Sequence, residues 1–389
     1  MRTILLAGVL LLSSGLFARC SAKPGSAAGA ADPQTEHKVS DADNTRVQVA
    51  LLLDTSNSMD GLIDQAKSRL WNIVNTLTTL KYKGKAPVVE IALYEYGNDG
   101  LPAEENYIRQ VTPLTSDLDL ISEKLFALRT NGGNEYCGAV IGQAVKKLRW
   151  SGRAADMKLI YIAGNEPFNQ GSISYKEMIS DAITRDIYVN TIFCGNREEG
   201  IDTWWKDGAE KGKGKYFNID PDRKVRFVET PYDKRIEACN EKMNRTYIGY
   251  GAAGAARKSS QAQQDANART LSAANYTERA VSKSKAMYKN AEWDIVDKVK
   301  DDKRALDKLS QEEMPQELKG KSKAEAATII AAKAKERDEL QKEIAALGKE
   351  RQAYIDKALE KESGEDDLGA AINNTILELA RTKGYVAAQ

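Results

Sequence analysis

The spacing of apolar residues changes character twice along the chain. At the first folded stretch, Val47, Val49, Ala50, Leu51, Leu52 and Leu53 form a nearly unbroken apolar run that stops at Asp54, the pattern of a parallel strand covered on both faces. After a polar loop over 54–60, apolar residues recur at Leu62, Ala66, Leu70, Ile73 and Leu77, which aligns them along one side of an amphipathic helix. The alternation then repeats. Strands are predicted over 88–96, around Ile108, and over 158–163, 187–194 and 216–219; helices over about 118–128, 135–148, 175–184 and 201–210. Units of this size in alternation predict an α/β fold with a doubly wound, mainly parallel sheet between two helical layers. In such sheets ligands meet the loops at the carboxyl ends of the strands.

Beyond Pro221 only the helical period remains, so 46–222 is read as the α/β domain and 223–389 as an all-α, partly coiled-coil-like region. Ile295, Val299, Leu306 and Leu309 mark one seam and Leu340, Ile344, Leu347, Tyr354 and Ala358 another. Pro315 and Gly320 break the chain between them, and a long antiparallel hairpin is expected over about 283–362. Ser322 with Glu325 three residues on reads as a capping box opening its second helix. A last amphipathic helix carries Leu368, Ile372, Ile376 and Leu379 and stops near Gly384, where a left-handed turn suits glycine. The stretch 250–268 reads either as a loop or as a poorly packed helix.

The first 22 residues have the layout of a secretory signal peptide: Arg2, an apolar run over 4–17, then the small residues Cys20, Ser21 and Ala22. Cleavage after Ala22 would release the protein; Cys20 as a new N-terminus would be lipidated and tether it, although Arg19 stands where a lipoprotein signal has a small residue. Residues 23–45, with almost no large apolar side chain, read as a flexible linker. The expected location is therefore exported, either periplasmic or anchored in the cell envelope.

Charge adds little, because 57 basic residues balance 56 acidic ones, and neither nucleic acid nor acidic lipid is favoured as a partner. Histidine adds an exclusion. His37 is the only one and lies in the linker, which removes Cys/His zinc sites and histidine-assisted nucleophiles. The KGKGK run over 211–215 lacks P-loop spacing. Nothing resembles a catalytic set, so the expectation is a protein that is not an enzyme. After the leader, Cys137, Cys194 and Cys239 remain, an odd number in an oxidising compartment. Cys137 and Cys194 both fall on the predicted ligand face, where a disulfide is conceivable if their Cα atoms come within about 7 Å. Of Trp204 and Trp205, one ring is expected in the core and the other partly wet.

The loop after the first strand carries the chemistry. Asp54, Ser56 and Ser58 stand as D-x-S-x-S between a buried strand and a helix, and alternate side chains of a tight loop can turn toward one point. One carboxylate and two hydroxyls are hard oxygen ligands suited to Mg²⁺ or Mn²⁺. This strand, loop and helix resemble the metal-ion-dependent adhesion site of von Willebrand factor A domains, a likeness that extends over about 46–222 and includes IYVNTIFCG and TWWKDGAEKGKGKYFNID near its end.

The resemblance implies two further metal loops. In the second, Thr130, Asn131, Gly132, Gly133, Asn134 and Glu135 put Asn134 where the family has threonine; in the third, Gly164 falls on the family's aspartate, leaving Asn165 or Glu166 to compensate. It implies a cell-envelope adhesion-type module that binds a carboxylate of a partner protein through the cation, with the C-terminal helices spacing or self-associating. The alternative is a metal-free scaffold or assembly protein acting through those helices, in which the serines cap the first helix and bond the loop backbone.

Overall fold

The computed structural model describes residues 44–220, 225, 227–359 and 368–387. The leader, Cys20, His37, the linker up to residue 43 and the expected end of the long helix near Glu362 lie outside them.

The described chain begins with β1 (Arg46–Asp54), α1 (Asp60–Thr79), β2 (Leu80–Tyr82), β3 (Val88–Tyr96), β4 (Ile108–Thr115), α2 (Leu118–Ala127) and α3 (Cys137–Lys147). It continues through β5 (Met157–Gly164), α4 (Tyr175–Thr184), β6 (Tyr188–Cys194), α5 (Arg197–Asp202), α6 (Trp205–Lys211) and β7 (Lys213–Ile219). Helices follow: α7 (Asp233–Asn244), α8 (Gly251–Leu271), α9 (Ala273–Lys283), α10 (Ile295–Asp301), α11 (Ala305–Lys308), α12 (Lys323–Leu359) and α13 (Leu368–Thr382), and then β8 (Tyr385–Ala387).

The main sheet has the order β4-β3-β1-β5-β6-β7. Only the edge strand β4 runs antiparallel, as edge strands of such sheets often do. The α/β class expected from the spacing is therefore the one observed. Counted along the chain without the short β2, this is the order 3-2-1-4-5-6, whose direction reverses between β1 and β5, and the crevice outside the carboxyl ends of those two strands is where such sheets take ligands.

Alternation along β1 sorts the two layers. Val47, Val49, Leu51 and Leu53 face α1 and α2, while Ala50 and Leu52 face the side chains of α3, α4 and α6. The wholly apolar strand predicted from its composition follows from this double cover.

The boundary expected at 222 does not separate two bodies. The described residues from Asn44 onward form one compact unit, because α13 returns to the sheet: Ile372, Ile376 and Leu379 join the core of the α1 face, and Tyr161 of β5 donates a hydrogen bond to the Ile372 carbonyl at 3.3 Å. β8 then pairs antiparallel with β2 at the end of α1. Helices α7 to α12 thus lie between the last strand of the sheet and a helix that completes its cover.

The hairpin expected over 283–362 forms only in part, with Asp297 paired to Arg337 and Asp307 to Lys323 in antiparallel register. Its first arm is interrupted, with α10 and α11 as short pieces of seven and four residues. The second arm is the 37-residue α12, opened by the expected capping box: Glu325 accepts from the Ser322 amide at 2.8 Å, and Ser322 Oγ accepts from the Glu325 amide at 3.3 Å. The uncertain stretch 250–268 is helical, within α8, and the helix expected over 201–210 is split into α5 and α6 by a left-handed Trp204 at φ 69°.

Ionic contacts join the layers. Arg279 of α9, fully buried, donates to Asp119 of α2 at 2.7 Å and to Asp265 of α8 at 2.6 Å, with its guanidinium 4.7 Å from the centre of the Trp71 ring. Tyr288 reaches the other oxygen of Asp119, and Lys283 reaches both oxygens of Asp265. Burial alone would raise the Asp265 carboxyl, but Lys283 and then Arg279 overcome it and hold that carboxyl below the ordinary range.

Candidate metal centre at the carboxyl end of the sheet

Register brings the candidate residues together. Asp54, the last residue of β1, pairs with Tyr96 of β3, and its neighbour Leu53 pairs with Ala163 of β5. Three strand ends and their loops therefore meet at one point, with fully buried Asp54 at the centre.

The first loop is held from several sides. The Thr55 amide donates to the Tyr96 carbonyl at 2.9 Å, the Asn131 amide donates to the Thr55 carbonyl at 3.0 Å, and Asp54 Oδ1 accepts from the Ser56 amide at 2.7 Å. Ser56 and Ser58 hydroxyls lie 3.3 Å apart, and Asn165 Nδ2 donates to Ser58 Oγ at 3.1 Å. Asp54, Ser56, Ser58 and Asn165 thus form one connected group. The serines do not serve as helix caps: neither the short 3-10 turn at Asn57–Met59 nor α1 has a side-chain cap bond.

The second loop supplies a residue other than the expected one. Asn134 is exposed, whereas Glu135 is 4 % exposed and lies beside Asp54: a Cβ on Gly97 would meet Glu135 Cγ at 2.6 Å and Asp54 Oδ1 at 2.8 Å. Two glycines allow this approach. A Cβ on Gly133, at φ 150°, would lie 1.8 Å from the Gly97 carbonyl oxygen, and Gly97 itself is at φ 77°. The loops cross backbone to backbone, and the crossing turns Glu135 inward. The sequence signal was the Gly132–Gly133 pair with an acid two residues on, but register in a loop shifts by one residue easily and the resemblance pointed to Asn134.

The third loop has no carboxylate at Gly164, where the resemblance implies an aspartate. A Cβ on Gly164 would sit 2.5 Å from Tyr96 Oη and 3.1 Å from Asp54 Oδ2, so the tyrosine hydroxyl, which donates to the Ala163 carbonyl at 3.0 Å, occupies the space such a side chain would need. The Glu166 side chain is exposed, and its residue contributes backbone instead: its carbonyl accepts from Trp205 Nε1 at 2.8 Å. Trp205 is fully buried and Trp204 is 43 % exposed, the division expected of the pair.

Electrostatically the site is incomplete. Burial, and then the neighbouring Glu135 charge, push the Asp54 carboxyl well above its usual range, and burial raises Glu135. Asp54 Oδ2, Glu135 Oε2 and Asn165 Oδ1 are buried with no hydrogen-bond partner among the described residues. Buried polar atoms are nearly always paired, so three around one loop suit a shared proton or a cation. The donors fit a hard divalent ion: two carboxylates, two hydroxyls and an amide oxygen. Among the described residues no three His, Cys, Asp or Glu side chains converge as a ligand set, so the serines and Asn165 would have to share the coordination.

The conceivable disulfide is not formed. Cys137, Cys194 and Cys239 are free and buried, and Cys137 Sγ lies 3.8 Å from the Tyr96 hydroxyl.

No family model matches the chain, and no curated protein matches it. Several solved structures are similar over nearly half of it. The conserved hypothetical protein BatB from Bacteroides thetaiotaomicron is 17% identical, with 45% of this chain and 90% of that chain covered and a TM-score of 0.35. The SpRpn10 VWA domain is 15% identical over 45% of this chain and 88% of that one, with a TM-score of 0.33. Proximal thread matrix protein 1 from the mussel byssus, in a structure whose MIDAS motif is occupied by zinc, is 14% identical, covers 46% of this chain and 43% of that one, and has a TM-score of 0.35. The fold stands on this chain's own strand order and on the D-x-S-x-S loop at the end of its central strand, which together give the von Willebrand factor A-like α/β arrangement.

Proposed function

We propose that the protein is a binding module in which Asp54, Ser56, Ser58, Glu135 and Asn165 hold a divalent cation, Mg²⁺ or Mn²⁺, at the carboxyl end of the sheet. The observation that carries this reading is the trio of buried, unpartnered oxygens on Asp54, Glu135 and Asn165 around one loop. When bound, the cation supplies a Lewis-acidic point that attracts an acidic group of a partner protein. The chain's own residues do the rest: Asp54 and Glu135 neutralise the ion, the serines and Asn165 fix its side of the loop, and Thr55 and Asn131 anchor the loop to its neighbours. With two carboxylates rather than one, the ion keeps less of its charge for the partner than a D-x-S-x-S loop alone would leave it.

A second reading rests on the closeness of Asp54 and Glu135, whose Oδ1 and Cγ both flank Gly97. Two buried carboxyls can share a proton instead of a cation, and the protein would then act as a metal-free scaffold through its C-terminal helices, where Tyr354 on α12 is exposed. A thermal melt of the full chain in Mg²⁺ or Mn²⁺ against chelator separates the two. The cation reading expects an upward shift that Asp54→Asn abolishes; an unchanged melt overturns it.

The role is binding rather than catalysis, with no nucleic acid as partner, and metal-dependent turnover of phosphate esters or peptides would count against it. In the same reading the protein is exported. Among the described residues no helix is long and apolar enough to cross a membrane, and attachment would fall to a lipid on Cys20. The mass of the mature N-terminus distinguishes lipidated Cys20 from cleavage after Ala22.

A further inference from the structure

A cavity of about 380 Å³ opens beyond the carboxyl ends of β5 and β6, a volume in the range of small-molecule sites. One wall runs from the loop after β5 into the first turn of α4, and the other is Trp204, in the turn between α5 and α6. Both walls are fixed. The Phe168 amide donates to the Thr203 carbonyl at 2.9 Å, and Gln170 Oε1 accepts from the Glu135 amide at 3.0 Å. Gly171, at φ 89°, lies so near Tyr136 that a Cβ would meet its ring at 2.7 Å, and a Cβ on Gly138 of α3 would lie 2.1 Å from the Ile173 carbonyl oxygen. A pocket held by backbone contacts of this kind needs little ordering when a ligand enters.

Trp204 is the unusual member. Its φ of 69° is a left-handed conformation that a bulky residue rarely adopts and that glycine adopts freely. Packing does not call for its indole, because the neighbouring Trp205 already fills the core against Phe168 and Phe193. Trp204 instead stays 43 % exposed, beside the exposed Ile173. Backbone strain that packing does not require gathers at ligand sites.

The rest of the lining is polar and carries little charge. Asn169 and Ser172 are exposed, and their side chains make no hydrogen bond to another described residue. The one charged side chain, Lys176, has its ammonium 5.7 Å from the centre of the Tyr175 ring, and its charge is felt by Asp207, which accepts from the Tyr175 hydroxyl at 2.5 Å.

We propose that this cavity binds a neutral saccharide, with one pyranose ring stacked on the Trp204 indole and its hydroxyls bonded to Asn169 and Ser172. The chemistry of the walls selects the class. C–H bonds on one face of a pyranose are slightly positive and suit the negative face of an indole. A serine hydroxyl and an asparagine amide each donate and accept, as a ring of hydroxyls requires. An anion would meet a single lysine already near a carboxylate, and a purely apolar group would cover Asn169 and Ser172 without pairing them. The site does not depend on the cation at Asp54, although both open at the same end of the sheet.

The test is calorimetric titration of the full chain, with chelator present, with maltotriose, cellotriose and the trisaccharide of N-acetylglucosamine. The expected result is saturable binding of at least one of them at millimolar concentration, weakened about tenfold or more in Trp204→Gly. Glycine suits the left-handed position, so this variant should melt no lower than the native chain, which separates loss of binding from loss of fold. Asn169→Ala, on an exposed residue, is a second variant and should weaken the same binding about threefold without moving the melt. No saturable binding of any of the three overturns the saccharide assignment, as does unchanged affinity in both variants. A decaproline peptide that binds more tightly than the saccharides, and loses that binding in Trp204→Gly, overturns it in favour of a protein ligand.

Discussion

Two of the buried acidic clusters among the described residues differ in how their oxygens are used. At the junction between the sheet and the inserted helices, both oxygens of Asp119 and both of Asp265 receive donors, among them Arg279, Lys283, Tyr288, Asn240 and Asn244. At the carboxyl end of the sheet, Asp54 and Glu135 lie against each other with one oxygen of each unpartnered among the described residues. The consequence is visible in their protonation, with Asp265 held below the carboxylate range by its cations and Asp54 pushed above it. Burial of an acid is therefore uninformative by itself. What separates a structural junction from a candidate binding site is whether its lone pairs are used within the fold.

The sharpest break of this comparison is Arg279→Met. It leaves Asp119 without its cation and Asp265 with Lys283 alone, and removal of one partner from a buried ionic cluster costs about 3–5 kcal/mol. Denaturant unfolding should show that loss. A loss below about 1 kcal/mol would mean the junction contributes little to holding the helices on the sheet.

Next comes Asp54→Asn, which acts on the unfinished cluster. Without metal it should leave stability unchanged or raised, because it removes a buried carboxyl that has no cation. In the native chain, saturating Mg²⁺ or Mn²⁺ should stabilise by about 2.7 kcal/mol at a hundred times the dissociation constant. The variant should lose that increment in a melt monitored by circular dichroism.

Acid titration reads the finished cluster through Asp265. Below about pH 3.9 the unfolded chain binds a proton at Asp265, while the folded protein, whose Asp265 titrates lower, does not. The unfolded state thus holds more protons, and stability present above that pH falls as the pH is lowered through the folded value. The slope from this group is at most about 1.4 kcal/mol per pH unit. Asp265→Asn should flatten the unfolding free energy in that window, at the cost of a lower plateau at neutral pH.

The same contrast explains what could be read from the residues. Asp54, Ser56 and Ser58 were legible because they are contiguous and their meaning depends on one strand, one loop and one helix. Glu135 was not, because its inward turn depends on Gly133 crossing Gly97, a contact between loops that no local pattern encodes. The α1 stripe at Leu62, Ala66, Leu70, Ile73 and Leu77 was legible for the same local reason. Its other side is also engaged: the Ser68 carbonyl accepts from Asn275, Asn75 accepts from Ser282, and Asn72 accepts from Asn373. Those partners lie some two to three hundred residues downstream, so a period within one helix could not announce them. The return of α13 to the sheet was hidden in the same way.

The smallest expected effect is also the most discriminating for the cation. Ser58 is exposed, accepts from Asn165 at 3.1 Å and lies 3.3 Å from the Ser56 hydroxyl. In chelator, Ser58→Ala removes that contact and should lower stability by no more than about 1 kcal/mol. Helix α1 should be unaffected, since Ser58 makes no capping bond. If the hydroxyl contributes to holding an ion, the variant's Mg²⁺-dependent melting shift should shrink while its melt in chelator stays near that of the native chain. An equal, small destabilisation with and without Mg²⁺ would reduce Ser58 to a loop contact, and the coordination would then rest on Asp54, Glu135, Ser56 and Asn165 alone.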